Sequence, residues 1–299
     1  MDLARPRFAF REELLAIRPV RLEKLRFAGL WTAGSLEALA GPTIAIVGPR
    51  APSDGARSRA HALASAMARA GVCVVSGLAM GIDGAAHSGA LSGGGRTIGV
   101  LGGGHRQFFP WRNRVLAEAM IAGGGAVLSP YAPDEPARPR QFLDRNGIVA
   151  GLSDAVVIVE AATRSGALNT ASWAATLGID VLAFPGDVDR PKAAGCNELI
   201  RDGALLVRGA EDVLAHLGLT AAPPAPLALP LRTDPLEASI VGALIEGPAD
   251  FDRLLEATAA QTADLIGALV RLEMDDAIER RDAVTYALPS RPRTSSPSR

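Results

Sequence analysis

The chain has 299 residues, of which 48% are hydrophobic and 21% charged, with a formal net charge of −1. This is ordinary globular composition, long enough for one large unit and a small one. The near-zero charge excludes a uniformly basic polyanion binder but leaves room for a local basic groove, and no apolar run approaches the roughly 20 residues a membrane helix needs.

Residues 1–40 are short, mixed and arginine-rich, with "LEKLRFAGLW" and "GSLEALAG" predicting one or two small helices or a lead-in strand. The start "MDLARPRFAFREELL" has no long apolar core, so no signal peptide is read there and a cytoplasmic protein is expected. A single rhythm then runs from Thr43 to about Leu217. The apolar runs "TIAIVG", "VCVVSG", "RTIGVLGGG", "AVLSPY", "AVVIVEAA" and "DVLAFPG" alternate with segments at helical period, such as "DGARSRAHALASAMARAG" and "GALNTASWAATLG". Short continuous apolar strands between helices predict a parallel sheet covered on both faces. The fold class is α/β, a Rossmann-like, doubly wound and mostly parallel sheet over residues 41–218. The stretch 219–235, "LTAAPPAPLALPLRTDP", is expected to be a Pro/Ala linker. Residues 236–288 pattern as three helices and a hairpin, which predicts a winged helix. The tail 289–299, "PSRPRTSSPSR", is expected to be disordered. Cys73 and Cys196 lie far apart and give no disulfide framework, which suits a reducing compartment.

In an open α/β sheet, ligands sit beyond the carboxyl ends of the strands. The residues there are Gly48-Pro49-Arg50, Ser76-Gly77-Leu78, Gly102-Gly103-Gly104, Glu160 to Gly166, and Pro185-Gly186. Glycine permits close approach to the backbone, and helix N-termini offer free N–H groups to anions. A phosphorylated ligand is the natural reading. The turn "GPRAPSDG" lacks the dinucleotide GxGxxG, and no GxxxxGK[ST] occurs, so neither a dehydrogenase nor a P-loop enzyme is supported. Asp83 and His87, at i and i+4, read as a helix-surface or capping pair, and Glu160 is a lone acid with no evident partner. His61, His105 and His216 lack metal-ligand spacing. No catalytic residue, metal or cofactor is therefore expected, and binding is favoured over turnover. Lysine occurs at Lys24 and Lys192 alone, and the excess of arginine reads as coding bias rather than as a signal.

Taken in order, the blocks "AIVGPR", "SGLAMGIDGAAH", "GGRTIGVLGGG", "FPWRNRVLAEAM", "AVLSPY", "FLDRNGIVAGLS", "VVIVEAATRSGALNTA" and "FPGDVDRPKAAGCNELIRDGA" resemble the DprA/Smf family of bacterial DNA-processing proteins, over roughly residues 43–207. The resemblance implies an extended Rossmann domain that binds single-stranded DNA, protects it, dimerises and hands it to the RecA recombinase during transformation, without catalysis and without a membrane. It implies that Gly48, Arg50, Ser76 and Gly77 meet DNA phosphates, Ser76 and Gly77 as a hydroxyl-and-backbone nest. Arg145 and Asn146 would line the same groove, and Phe142 would stack on an unpaired base. Ser165, Gly166 and Thr170 would complete the phosphate track.

This sequence departs from the family pattern at three points. Pro49 stands in place of serine, Met80 in place of a basic residue, and Gly147 in place of the second arginine of an Arg-Asn-Arg block. Two cations are thus expected to be missing, which would flatten the log–log salt slope of binding by roughly 1.4. Arg138 and Arg140 are candidates to compensate. About 40 residues precede the first strand, too few for the helical SAM-like domain that many members carry. The segment "QTADLIGALVRLEMDDA" of the winged helix is acidic, which favours a protein contact or a structural role over DNA reading. The rival reading is a nucleotide-binding or nucleotide-hydrolysing protein of the phosphoribohydrolase kind. That class carries Pro-Gly-Gly-x-Gly-Thr-x-x-Glu where "TRSGALNTA" stands here.

Overall fold

The structure is a computed structural model describing residues 3, 5–17, 22–219, 234–245, 247–274, 277–280 and 285–288. The expected linker falls almost wholly outside the described residues, and the expected disordered tail entirely so. The chain divides into two compact units, Met1–Pro223 and Pro224–Arg299.

The first unit is built on a nine-stranded sheet in the order β1-β2-β6-β5-β4-β3-β7-β8-β9. The six apolar runs of the sequence are its centre: β3 (Thr43–Val47), β4 (Cys73–Ser76), β5 (Thr97–Val100), β6 (Ala126–Ser129), β7 (Ala155–Ile158) and β8 (Asp180–Ala183). All pair in parallel, with Ile44 opposite both Val74 and Ala155. A short β9 (Leu205–Leu206) extends one edge in parallel. The other edge is antiparallel. There β1 (Arg7–Phe10) pairs with β2 (Gly29–Gly34), and β2 with β6. The N-terminal residues thus contribute two strands and the helix Arg11–Ile17 between them, more than the lead-in expected of residues 1–40. A T-shaped contact at 5.2 Å between Phe8 and Trp31 joins the two strands.

The alternation of strand side chains fills two cores, one on each face. Ala45, Val47, Val75 and Ile98 face Ile148, Ala171 and Leu177. Ile44, Ile46, Val74 and Val157 face Leu63, Met67 and Ile82. Cys73 and Cys196 are free and buried. Helix starts are set locally: Ser53 and Ser165 accept hydrogen bonds from Ala56 N and Ala167 N, capping Asp54–Arg69 and Gly166–Leu177. Strands β3 to β6 run outward in one direction, and the chain then returns to place β7 beside β3. That reversal between β3 and β7 is the switch point of a doubly wound sheet, where loops on opposite faces diverge and open a crevice.

The second unit contains the helices Pro235–Ile245, Phe251–Thr258 and Thr262–Met274. A three-stranded sheet is formed by β10 (Ala249–Asp250), β11 (Glu279–Arg280) and β12 (Thr285–Ala287), with β12 in the middle. Ile240, Leu254, Leu265, Leu269 and Tyr286 form its core. This is the winged helix that the pattern of residues 236–288 predicts.

Candidate functional site

A groove of about 380 Å³ opens at the β3/β7 switch point. Its lining includes nine of the ten residues singled out in the sequence: Gly48, Arg50, Gly77, Phe142, Arg145, Asn146, Ser165, Gly166 and Thr170. They come from the turns after β3, β4 and β7, from the helix Pro139–Gly151 and, for Thr170, from the helix Gly166–Leu177. On that helix Phe142, Arg145 and Asn146 stand at i, i+3 and i+4, so they share one face.

Ser76, the tenth, is fully buried, and its Oγ donates to Ile46 O of the neighbouring strand at 2.7 Å. The hydroxyl expected to meet a phosphate therefore sits inside the sheet. The backbone nest beside it is occupied as well. Gly77 N and Ala79 N both donate to Asp83 Oδ2, at 3.1 and 3.3 Å. Asp83 thus caps the β4 turn rather than pairing with His87 one helical turn on. His87 Nδ1 instead meets Thr97 Oγ1 at 2.7 Å. Gly77 leaves room for the floor, because a Cβ there would press on the Arg145 guanidinium and lie 2.6 Å from Asp83 Oδ2.

Arg145 departs furthest from the surface cation expected. It is only 3% exposed, and its NH1 donates to Val100 O. Its Nε has no partner among the described residues. Burial pulls the guanidinium down to about 10, opposed by the nearby Asp83 carboxylate. Burial likewise pushes the Asp83 carboxyl up, opposed by Arg145 and by its hydrogen bonds. His87 is pulled down to about 3 by burial and by the same guanidinium, so it is neutral at physiological pH. Asp83, His87 and Arg145 form a buried polar floor, in which Asp83 holds the β4 turn and Arg145 is tied to the end of β5 at Val100 O.

The rim differs. Arg50 is exposed, with its guanidinium carbon 4.9 Å from the Phe142 ring centroid. Phe142 is half-buried, against Gly102 below. Asn146 Nδ2 donates to Asn169 Oδ1 at 3.1 Å. Ser165 caps the helix that opens at Gly166, and Thr170 is buried one turn in. Two further cations line the groove, Arg164 and Lys192, and Lys192 Nζ donates to Ala51 O at 3.0 Å. Arg164 was visible as a strand-end residue. Lys192 had no such signal, because it lies in an irregular stretch beyond β8. Asp83 is the single carboxylate among the described lining residues.

The departures sort differently in space. Met80 is exposed next to the lining residue Ala79 but does not itself line the groove, so a cation there would lie at its margin. Gly147 lies on the far side of its helix, where a Cβ would sit 3.0 Å from Trp173 Cδ2 and 3.3 Å from Leu25 Cδ2. It is not a gap in the groove, so one cation is missing there rather than two. Arg138 and Arg140 do not line the groove, and Arg140 is 3.9 Å from Asp144. Glu160 has a structural partner, accepting from Ser53 N and Ser53 Oγ at 2.9 and 2.7 Å.

The family model described as DNA recombination-mediator protein A matches residues 19–218, and the DprA winged helix domain matches 220–283. A putative DNA processing protein DprA of Mycobacterium tuberculosis is 40% identical over 261 residues, covering 85% of this chain and 67% of that protein. Protein Smf of Escherichia coli is 41% identical over 66% of this chain, which spans 53% of that relative's length. Among solved structures, DNA processing protein A of Streptococcus pneumoniae superposes with a TM-score of 0.65 at 37% identity, covering 71% of this chain and 74% of that one. DNA processing protein A of Helicobacter pylori, solved to describe its single-stranded DNA binding mode, gives 0.63 at 27% identity, covering 72% and 97%.

Proposed function

This chain belongs to the DNA recombination-mediator protein A family, and from that premise we propose that its groove binds single-stranded DNA. The observation that carries the reading is the rim. Arg50, Arg164 and Lys192 converge at the switch point, with Phe142 stacked beneath Arg50. Guanidinium and ammonium groups meet phosphates, a half-buried ring meets an unpaired base, and the opening turn at Ser165 and Gly166 adds a partial positive charge. The nine rim and floor residues named from the sequence act as one site, with Gly77 held in the β4 turn by Asp83, Arg145 anchored to the end of β5, and the others facing the strand. Ser76 takes no part beyond holding β4 to β3.

The protein works by holding the strand rather than by cleaving a nucleotide. The one carboxylate in the lining, Asp83, is 7% exposed and already accepts two backbone N–H groups, which suits a structural cap better than a general base. In the cytoplasm, a homodimer built on the Rossmann-like unit (residues 41–218) would protect incoming single strands and deliver them to RecA. The winged helix (236–288) fits a protein-contact role. Its helix Thr262–Met274 exposes Ile266 and Val270, and its one arginine, Arg271, is tied to Glu237 at 2.8 Å.

The test is fluorescence anisotropy of labelled oligo-dT at two salt concentrations. Binding by the wild type that is lost in Arg50→Ala/Arg164→Ala/Lys192→Ala, with thermal stability kept, supports the groove. Binding that survives in the triple variant would place the strand elsewhere. RecA filament formation on coated DNA, followed with and without the protein, tests delivery.

A further inference from the structure

Beyond the groove lies a second concavity of about 810 Å³, which shares Arg50, Phe142 and Leu143 with it. One wall is the segment between β5 and the helix Arg114–Ala122, and it carries Trp111, the most exposed aromatic side chain among the described residues, together with Phe109. Trp111 is 70% exposed and Phe109 50%. A free tryptophan on a surface costs solubility and contributes nothing to the fold, so an exposed aromatic cluster marks a contact site. The rings are not scattered. Phe109 makes a T-shaped contact with Phe142 at 6.1 Å, Arg50 lies over Phe142 at 4.9 Å, and Arg112 lies over Trp111 at 5.8 Å. Arg50, Phe142 and Phe109 thus lead from the groove into the cleft, whose wall also carries Trp111.

The charges are mixed in a telling way. Arg106 is bound to Asp134, and Arg114 to Glu118 at 3.1 Å, so those two arginines are neutralised. Arg50 and Arg112, each stacked on a ring, have no carboxylate within ion-pair distance among the described residues. The cleft therefore presents aromatic faces with Arg50 where it meets the groove and Arg112 stacked on its Trp111, which suits a polymer of flat rings on an anionic backbone.

We propose that this cleft is a base-stacking extension of the groove. The strand would leave the phosphate contacts at Arg50, and its next unpaired bases would stack on Phe109 and Trp111. The inference rests on the single-stranded DNA reading of the groove. It adds a specificity element, because a paired base cannot present its face to Trp111, so the cleft rejects duplex where the cationic rim alone would accept it.

The test compares oligo-dT with an abasic strand of equal length, on the wild type, Trp111→Ala, Phe109→Ala and the rim variant Arg50→Ala/Arg164→Ala/Lys192→Ala. Trp111 is exposed, so its replacement leaves the fold intact, which circular dichroism verifies. The expected result is a roughly 5- to 140-fold loss of oligo-dT affinity in Trp111→Ala, as removal of one stacking platform implies. Affinity for the abasic strand should be unchanged. Oligo-dT should also quench tryptophan emission in the wild type and much less in Trp111→Phe. Equal losses on both strands, or no loss in either aromatic variant while the rim variant loses binding, would overturn the cleft and leave the groove standing. Absence of binding by the wild type would remove both.

Discussion

Two arginines flank the same phenylalanine and do opposite work. Arg50, 4.9 Å from the Phe142 centroid, lies on the exposed rim. Arg145, 6.0 Å from it, is 3% exposed and belongs to the floor with Asp83 and His87. In sequence both look like groove cations. In space one is offered to a ligand and the other is spent on the protein. A charge in water can change partners at little cost, whereas a buried charge is committed to the neighbours that compensate its desolvation. Rim substitutions should therefore alter binding and spare stability, and floor substitutions should do the reverse.

The largest expected effect is on the floor. Arg145→Ala leaves Asp83 buried without its countercharge and removes the donor to Val100 O, and should cost about 3–5 kcal/mol in denaturant unfolding. A loss below about 0.5 kcal/mol, typical of a surface site, would return Arg145 to the rim. Gly147→Arg comes next. It drives a side chain into Trp173 and Leu25, and should destabilise by up to about 3 kcal/mol without steepening the salt dependence of DNA binding.

Acid should separate the two layers as well. The His87 value in the fold, about 3, lies below its ordinary 6.5, so the unfolded chain binds the extra proton first. Its stabilising effect is full above pH ~6.5 and is lost as pH falls from there toward about 3. Between pH 7 and pH 5 this amounts to about 2 kcal/mol. Burial lowers His105 too, with the same sign, while the raised Asp83 carboxyl works in the opposite direction. Melting temperatures of the wild type and of His87→Gln across that range should converge on acidification. Parallel curves would mean that His87 is not the buried neutral group described.

The smallest effects are on the rim. Arg50→Ala should change stability by less than about 0.5 kcal/mol. It should also weaken oligo-dT binding and flatten the log–log salt slope by about 0.7. Met80→Arg should steepen the slope by the same amount, and an unchanged slope would remove position 80 from the rim.

Much of this was legible from one chain. Short continuous apolar runs alternating with segments at helical period are the mark of a parallel sheet covered on both faces, so β3 to β8 and the α/β class could be read directly. The strand-end rule named Gly48, Arg50, Gly77, Ser165 and Gly166, the family resemblance added Phe142, Arg145, Asn146 and Thr170, and these nine meet in one groove. The antiparallel β1 and β2 were not legible, because their sequence is short and mixed and the pairing with β6 spans about 100 residues of chain. Lys192 was missed because an irregular connection carries no period from which to project it.

The sequence by itself determined the succession of strands and helices, the small residues at each turn, and hence that a ligand crevice lies beyond the carboxyl ends of the strands. These follow from local periodicity and backbone freedom. Only the tertiary structure decided which polar groups face that crevice. Ser76 and Arg145 turned inward, Asp83 took the N–H groups of the β4 turn, Gly147 faced Trp173, and Trp111 was left outside. Those outcomes depend on burial, and burial is set by what the rest of the chain packs against each residue.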